Sequence, residues 1–239
     1  MRENAFGLMI GDKHTYRDFG LIMTSFYIPL PETRKSLIEV PYASGNLDFT
    51  EATGEPTYQD RDGLKFDFVV HDKSWDQLEA IKTRLSMYLH GRKLRLIPDN
   101  DTGYYYMARL QVDSEKKYKS YGILTLTGSA EPFKYDLLSS DEPWKWDPFN
   151  FYTGVIRSYG EIQVTSETDF TVAAGGMNTV PEFIVTSSTN LSVTYGGNTY
   201  EMPNTGTYRF PAIKIGSDPV TLTFNGIGVV TIRYRGRYL

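Results

Sequence analysis

Three histidines, His14, His71 and His90, and no cysteine are the whole stock of imidazole and thiol groups in the 239-residue chain. A metal site needs ligands at recognisable spacing, and a general base needs a partner to orient it. These three stand far apart: His14 in a polar turn, His71 at the end of a strand-like run, and His90 at the end of a helical stretch, where a cation suits the dipole. Structural roles are expected for all of them. The segment "PDNDTG" sets Asp99 and Asp101 ahead of Gly103, as a calcium loop begins, but "YYYMARL" at 104–110 lacks the closing glutamate. A turn between "KLRLI" and "YYYMARL" is the better reading. Asp60 and Asp62, and likewise Asp141 and Glu142, are neighbours in sequence, whereas a glycosidase pair must converge across a cleft; solvated loop charge is expected. There is no nucleophile elbow, phosphate-cradling glycine loop or dinucleotide fingerprint. The chain reads as non-enzymatic, with no metal and no cofactor. Arg233, Arg235 and Arg237 fall on one face of a terminal strand, with Arg157 and Arg209 unplaced. They are either edge protection or a docking face for an acidic partner.

Net charge is −4 with a pI near 5.5, which argues against tight binding to a nucleic acid backbone. No apolar run approaches the roughly 20 residues of a membrane helix, and the start "MRENAFG" leads into no signal-peptide core. The absence of cysteine fits synthesis in a reducing cytoplasm. Charge is unevenly placed. Residues 1–150 hold 23 acids and 19 bases and residues 151–239 hold 6 of each, so charged residues fall from 42 of 150 to 12 of 89. Two separately built domains would show such a shift.

The elements that must position these residues are mostly strands. "LKFDFVV" alternates Leu64, Phe66, Phe68 and Val70 against Lys65, Asp67 and Val69. "YYYMARLQV" sets Tyr104, Tyr106, Ala108, Leu110 and Val112 against Arg109, Gln111 and Asp113. One helix is predicted over about 75–90: Ser74 and Gln77 stand at capping-box spacing, Trp75, Leu78, Ile81, Leu85 and Leu89 form an apolar stripe, and Gly91 supplies the stop. Pro132 is expected to end the last strand's pairing. Residues 137–150, "LLSSDEPWKWDPFN", match neither periodicity, and Pro143 and Pro148 resist both helix and ladder. They read as a linker that Phe133, Tyr135, Trp144 and Trp146 pin in place. Beyond it lie short strands, with hairpins expected around Gly196-Gly197 and Asn225-Gly226. The domains are therefore 1–136 with the helix, a linker 137–150, and a β-sandwich or small barrel over 151–239. The fold class is mainly β.

The stretch "VPYASGNLDFTEATGEPTYQDRDGLKFDFVV" at 40–70 resembles the signature of the distal tail proteins of long-tailed bacteriophages: a glycine turn at Gly45, an "LDFTE" strand, Gly54, then Tyr58 and Arg61 ahead of an alternating strand. The single amphipathic helix, the "RKLRLIPDNDTGYYYMARL" run and the exit "GSAEPFKYD", with Pro132, Phe133 and Tyr135, are similar too. The resemblance covers residues 5–136; beyond 150 it rests on size, β content and the terminal "TIRYRGRYL". It implies a homohexameric ring at the distal end of the virion tail, made in the host cytoplasm, whose first domain forms ring and lumen. It implies a galectin-like β-sandwich after it, and as partners the tail tube protein, a tail-tip hub protein of the baseplate, and receptor-binding or tail-fibre proteins. DNA would pass through the lumen without tight binding, and no membrane is involved. Some members carry inserted carbohydrate-binding modules, for which this chain is too short. The alternative reading is a carbohydrate-binding, lectin-like adhesion module, suggested by the sandwich and the seven tyrosines after residue 150. Against it, residues 151–239 contain no Trp and no His.

Overall fold

The structure is a computed structural model that describes residues 6–42, 44–52, 54–71, 74–143 and 154–239. The chain divides into two compact units. The first holds the chain to Asn100, then Tyr105–Lys134 and Leu239; the second holds Asp101–Tyr104 and Tyr135–Tyr238. Both are mainly β.

In chain order the elements up to Asp136 are β1 (Leu8–Ile10), β2 (Lys13–His14), α1 (Thr15–Phe19), β3 (Ile22–Tyr27), β4 (Leu37–Glu39), β5 (Asn46–Asp48), β6 (Arg61–His71), α2 (Trp75–Leu89), β7 (Lys93–Pro98), β8 (Tyr104–Lys117) and β9 (Tyr121–Asp136). Seven of the strands form one sheet in the order β2-β1-β7-β8-β9-β6-β3, and β4 pairs only with β5. Leu64, Phe66, Phe68 and Val70 of β6 are buried while Lys65 is exposed, as the two-residue period requires. The same core takes Leu78, Ile81, Leu85 and Leu89 from α2. Leu78 sits over Gly122 of β9, where a Cβ would come within 3.0 Å of it.

The capping box of α2 forms in both directions: Gln77 N–H donates to Ser74 Oγ and Ser74 N–H to Gln77 Oε1. Trp75 departs from the expected stripe and is 57% exposed. At the first helical position its Cα–Cβ bond points off the helix N-terminus, beyond the core. A second, five-residue helix, α1, went unanticipated; His14 caps it, with Nδ1 accepting from the N–H groups of Tyr16 and Arg17. The expectation for Pro132 also needs correction. Pairing of β9 with β6 does stop at Arg61↔Ala130, but β9 runs on through Pro132 to Asp136.

The remaining elements are β10 (Ile162–Val164), β11 (Thr168–Val172), β12 (Glu182–Tyr195), β13 (Asn198–Glu201), β14 (Gly206–Arg209), β15 (Val220–Arg233) and β16 (Arg237–Tyr238). Of these, β15 pairs with β10, β11 and β12, and β12 with β13 and β14. Phe183, Leu222, Phe224, Val230 and Ile232 are fully buried in the core of this unit. Gly196 and Gly197, both at positive φ, make the expected hairpin between β12 and β13, with Tyr195 opposite Asn198. The hairpin expected at Asn225-Gly226 does not exist, because β15 is one continuous strand of 14 residues. Gly226 (φ 96) faces Asn190 (φ 54) where the β12–β15 register shifts. A Cβ on Gly226 would lie 2.2 Å from the Asn190 carbonyl oxygen. The glycine admits a bulge rather than a turn.

Candidate assembly surface

The signature residues converge on the base of one segment, the chain between Leu30 and Asp60. Arg61 is buried at its exit: Nε donates to the Pro132 carbonyl (2.9 Å), Nη1 to the Pro29 carbonyl at the segment's entry (2.7 Å), and the guanidinium lies 5.4 Å from the Tyr106 ring centre. Burial lowers its pKa. Neutral carbonyls and an aromatic face carry the charge in place of a carboxylate. Gln59 N–H donates to Glu32 O and Arg34 N–H to Thr57 O, so entry and exit are zipped together. Tyr58 bridges Thr33 and meets Phe133 of β9 edge-to-face at 5.8 Å. Tyr58, Arg61, Pro132 and Phe133 therefore form one clamp. Gly45 and Gly54, both at positive φ, lie farther out in the segment. Tyr135 is half-buried and falls in the second unit.

Beyond the clamp the segment is a bare ribbon. Every residue of β4 and β5 is exposed, so neither face is covered by its own unit. Leu30 is 73% exposed, Ile38 53% and Leu47 54%, and Leu37, Tyr42 and Phe49 are exposed with them. A two-stranded ribbon alone is marginally stable in water, and contiguous exposed apolar side chains mark an interaction surface. The clamp fixes this ribbon at its base.

In the second unit the arginines behave in the opposite way. Arg157, unplaced by sequence, is a buried hub. It donates to Tyr234 Oη (3.0 Å), Asp136 Oδ2 (2.6 Å), the Ala174 carbonyl (2.6 Å) and Tyr238 Oη (3.3 Å). Burial disfavours its charge, but the adjacent Asp136 carboxylate outweighs that and holds it protonated. Burial raises the Tyr234 phenol, consistent with a neutral hydroxyl that donates a hydrogen bond to the Ala173 carbonyl (2.6 Å). Strand β15 stops at Arg233, so Arg233, Arg235 and Arg237 do not share one strand face. Arg233 Nε pairs with Asp141 (2.8 Å), and Arg235 with Glu142 (2.8 Å) and the Asp136 and Leu137 carbonyls; Arg237 donates to the Asn178 carbonyl. Of the three, Arg233 keeps half its side chain exposed.

The described part of the expected linker, 137–143, is tied to the same place, with Ser140 Oγ donating to Ile232 O and accepting from Tyr234 N–H. Trp144, Trp146 and Pro148 lie outside the described residues.

The histidines do not converge. Nε2 of His14 faces Asp99 at 3.2 Å while His71 and His90 are exposed at element ends. Asp99 accepts from Gly7 N–H (2.8 Å) within the turn region between β7 and β8. Among the described residues no cluster of three or more metal-ligating groups occurs, and no helix is long and apolar enough to cross a membrane. The described tyrosines after residue 153 are buried or half-buried; Tyr159 stacks on Tyr234 and Tyr208 on Phe210. None stands out as an open platform.

The fold has a counterpart among solved structures. It is similar to the crystal structure of the Dit protein (gp 19.1) of SPP1, described as a paradigm of the hub adsorption apparatus in phages that infect Gram-positive bacteria. The TM-score is 0.61 at 12% sequence identity, over 99% of this chain and 100% of that one. At that identity the likeness is one of fold. No protein-family model matches the sequence, and no curated protein does.

Proposed function

We propose that this chain is a structural component of the distal end of a long phage tail. It assembles with copies of itself into a hexameric ring between the tail tube and a tip hub protein. The observation that carries the reading is the clamped ribbon, a two-stranded element with both faces bare, on a chain that shares the fold of a tail hub protein. An obligate contact explains why Leu37, Ile38 and Leu47 are left in water by their own unit. Residues 1–150 carry a net charge of −4, which suits a lumen that passes DNA without holding it, since each neutralised phosphate would add affinity. The second unit is the docking body for receptor-binding or tail-fibre proteins, with Arg233 the one arginine of its terminal series still half in solvent. The virion tail is the location that follows.

Light scattering and negative-stain imaging of the purified full chain test this. Six-fold rings, at six times the 27.2 kDa subunit, are expected, and Ile38→Ser with Leu47→Ser should leave folded monomers. A wild-type protein that stays monomeric at high concentration and forms no ring in assembled particles would overturn the reading.

A further inference from the structure

We propose that the ribbon docks on a cationic cradle of a second copy, built where β2, α1, α2 and the turn after α2 meet; the proposal rests on the ring reading above. Between Leu30 and Asp60 the chain carries six acids, Glu32, Glu39, Asp48, Glu51, Glu55 and Asp60, against two bases, Arg34 and Lys35. The ribbon is thus acidic as well as apolar. The cradle is its complement. Lys13 Nζ lies 4.8 Å from the Tyr88 ring centre, Arg84 5.4 Å from that of Phe19, and Arg92 6.0 Å from that of Tyr88. Arg17, two residues before Phe19 on α1, is exposed.

Among the described residues none of these four cations has a carboxylate within ion-pair distance. Arg84 donates instead to the Asp18 backbone carbonyl (2.9 Å). Two carboxylates lie on this surface as well: Asp12, held below its ordinary pKa first by the bond from Tyr88 Oη (2.5 Å) and further by Lys13 and Arg92, and Asp18, which accepts from His14 N–H (2.6 Å); four cations against two carboxylates leave an excess of positive charge. Met87, 76% exposed on the lining of the same concavity, offers apolar surface to the ribbon's Leu and Ile side chains.

Donor and acceptor surfaces differ and lie on one chain, so the contact is head-to-tail, the kind that closes into a ring. Exposed ion pairs contribute little each. Their part is to set register and exclude wrong pairings, while the apolar side chains drive association.

Charge reversal gives a decisive test. The basic-ribbon variant is Glu32→Lys, Glu39→Lys and Glu51→Lys; the acidic-cradle variant is Lys13→Glu, Arg84→Glu and Arg92→Glu. Each alone sets like charges against each other and is expected to scatter as monomer where wild type forms rings. Mixed in equal amounts, the two alternate, every contact becomes attractive, and an even-membered ring returns. Circular dichroism checks that each variant keeps its fold. Should a reversed variant unfold, the neutral Arg84→Gln with Arg92→Gln replaces it, and its assembly is expected to lose the salt sensitivity of wild type. Rings formed normally by either reversed variant alone, an unmixable pair, or unchanged salt sensitivity in the neutral variant would overturn this pairing and leave the ring reading standing. A wild type that never assembles would overturn both.

Discussion

The ribbon between Leu30 and Asp60 and the closing stretch from Arg233 to Tyr238 are both short-stranded and aromatic, with charges at close intervals. Their side chains face opposite ways. In the closing stretch the groups that look adhesive are turned inward: Arg235 and Arg237 donate to backbone carbonyls of their own unit, and Tyr234 and Tyr238 surround Arg157. In the ribbon the inward-facing side chains are at the base, where Arg61 and Tyr58 clamp entry to exit, and Leu37, Ile38, Leu47 and Phe49 beyond it are exposed. A surface is free to bind when its own fold has not already satisfied it. Charge and aromaticity read from sequence do not reveal which case holds.

The largest expected effect comes from breaking the inward-facing side. Arg157→Ala takes the guanidinium away from the largely buried Asp136 carboxylate, which keeps the Gly236 N–H (2.8 Å), and should cost about 3–5 kcal/mol, read by hydrogen exchange over residues 155–238 together with denaturant unfolding. A loss below about 1 kcal/mol would show that the hub is decoration.

Leu85→Ala tests the first unit's core in the same way. Leu85 is fully buried in the core that α2 shares with the sheet, so about 2–5 kcal/mol is expected from lost burial plus a cavity. Any assembly defect should follow stability in this variant.

A pH effect sharpens the contrast within the first unit. Burial tends to raise the Asp67 carboxyl, but hydroxyl donation from Thr125 (2.7 Å) and Ser25 (2.8 Å), with Lys65 nearby, brings it below its ordinary value of 3.8. Its stabilisation is therefore present above pH 3.8 and disappears as the pH falls through the lower folded value. The Tm gap between wild type and Asp67→Asn should be widest at neutral pH and close in acid; a gap that stays constant would remove Asp67 from the account.

Arg233→Ala should change stability by no more than about 1 kcal/mol, since its pair with Asp141 is half exposed. A larger loss would place Arg233 with the inward-facing group. The smallest expected effect on folding is at the ribbon, where Ile38→Ser should move stability by less than about 0.5 kcal/mol while weakening assembly. If instead its Tm falls by many degrees, the ribbon packs on its own unit and the contrast collapses.

Local chemistry alone determined a good part of this molecule. The period of "LKFDFVV" and the Ser74/Gln77 capping box depend on residues within one or two turns of each other, and both formed. Gly196-Gly197 made its turn because two successive positive-φ positions leave the chain few alternatives. Gly226 shows where such reasoning stops: the same permissive residue opened a bulge, because the Asn190 carbonyl of a neighbouring strand took the space a Cβ would need. Trp75 fitted the stripe by count and missed it by geometry, since at the helix start its side chain leaves past the core's edge.

Only the tertiary structure decided the rest. Arg157 and its partner Asp136 are 21 residues apart and its partner Tyr234 is 77 away, and no local pattern announces a contact at such separation. Sequence likewise carried Tyr58, Arg61, Pro132 and Phe133 as a signature without saying what they do. They meet because β6 and β9 pair up to Arg61↔Ala130 and set the ribbon's exit beside Pro132. The bareness of the ribbon was illegible for the same physical reason. Exposure belongs to what the rest of the chain fails to cover, and that is settled only once every other strand has found its neighbour.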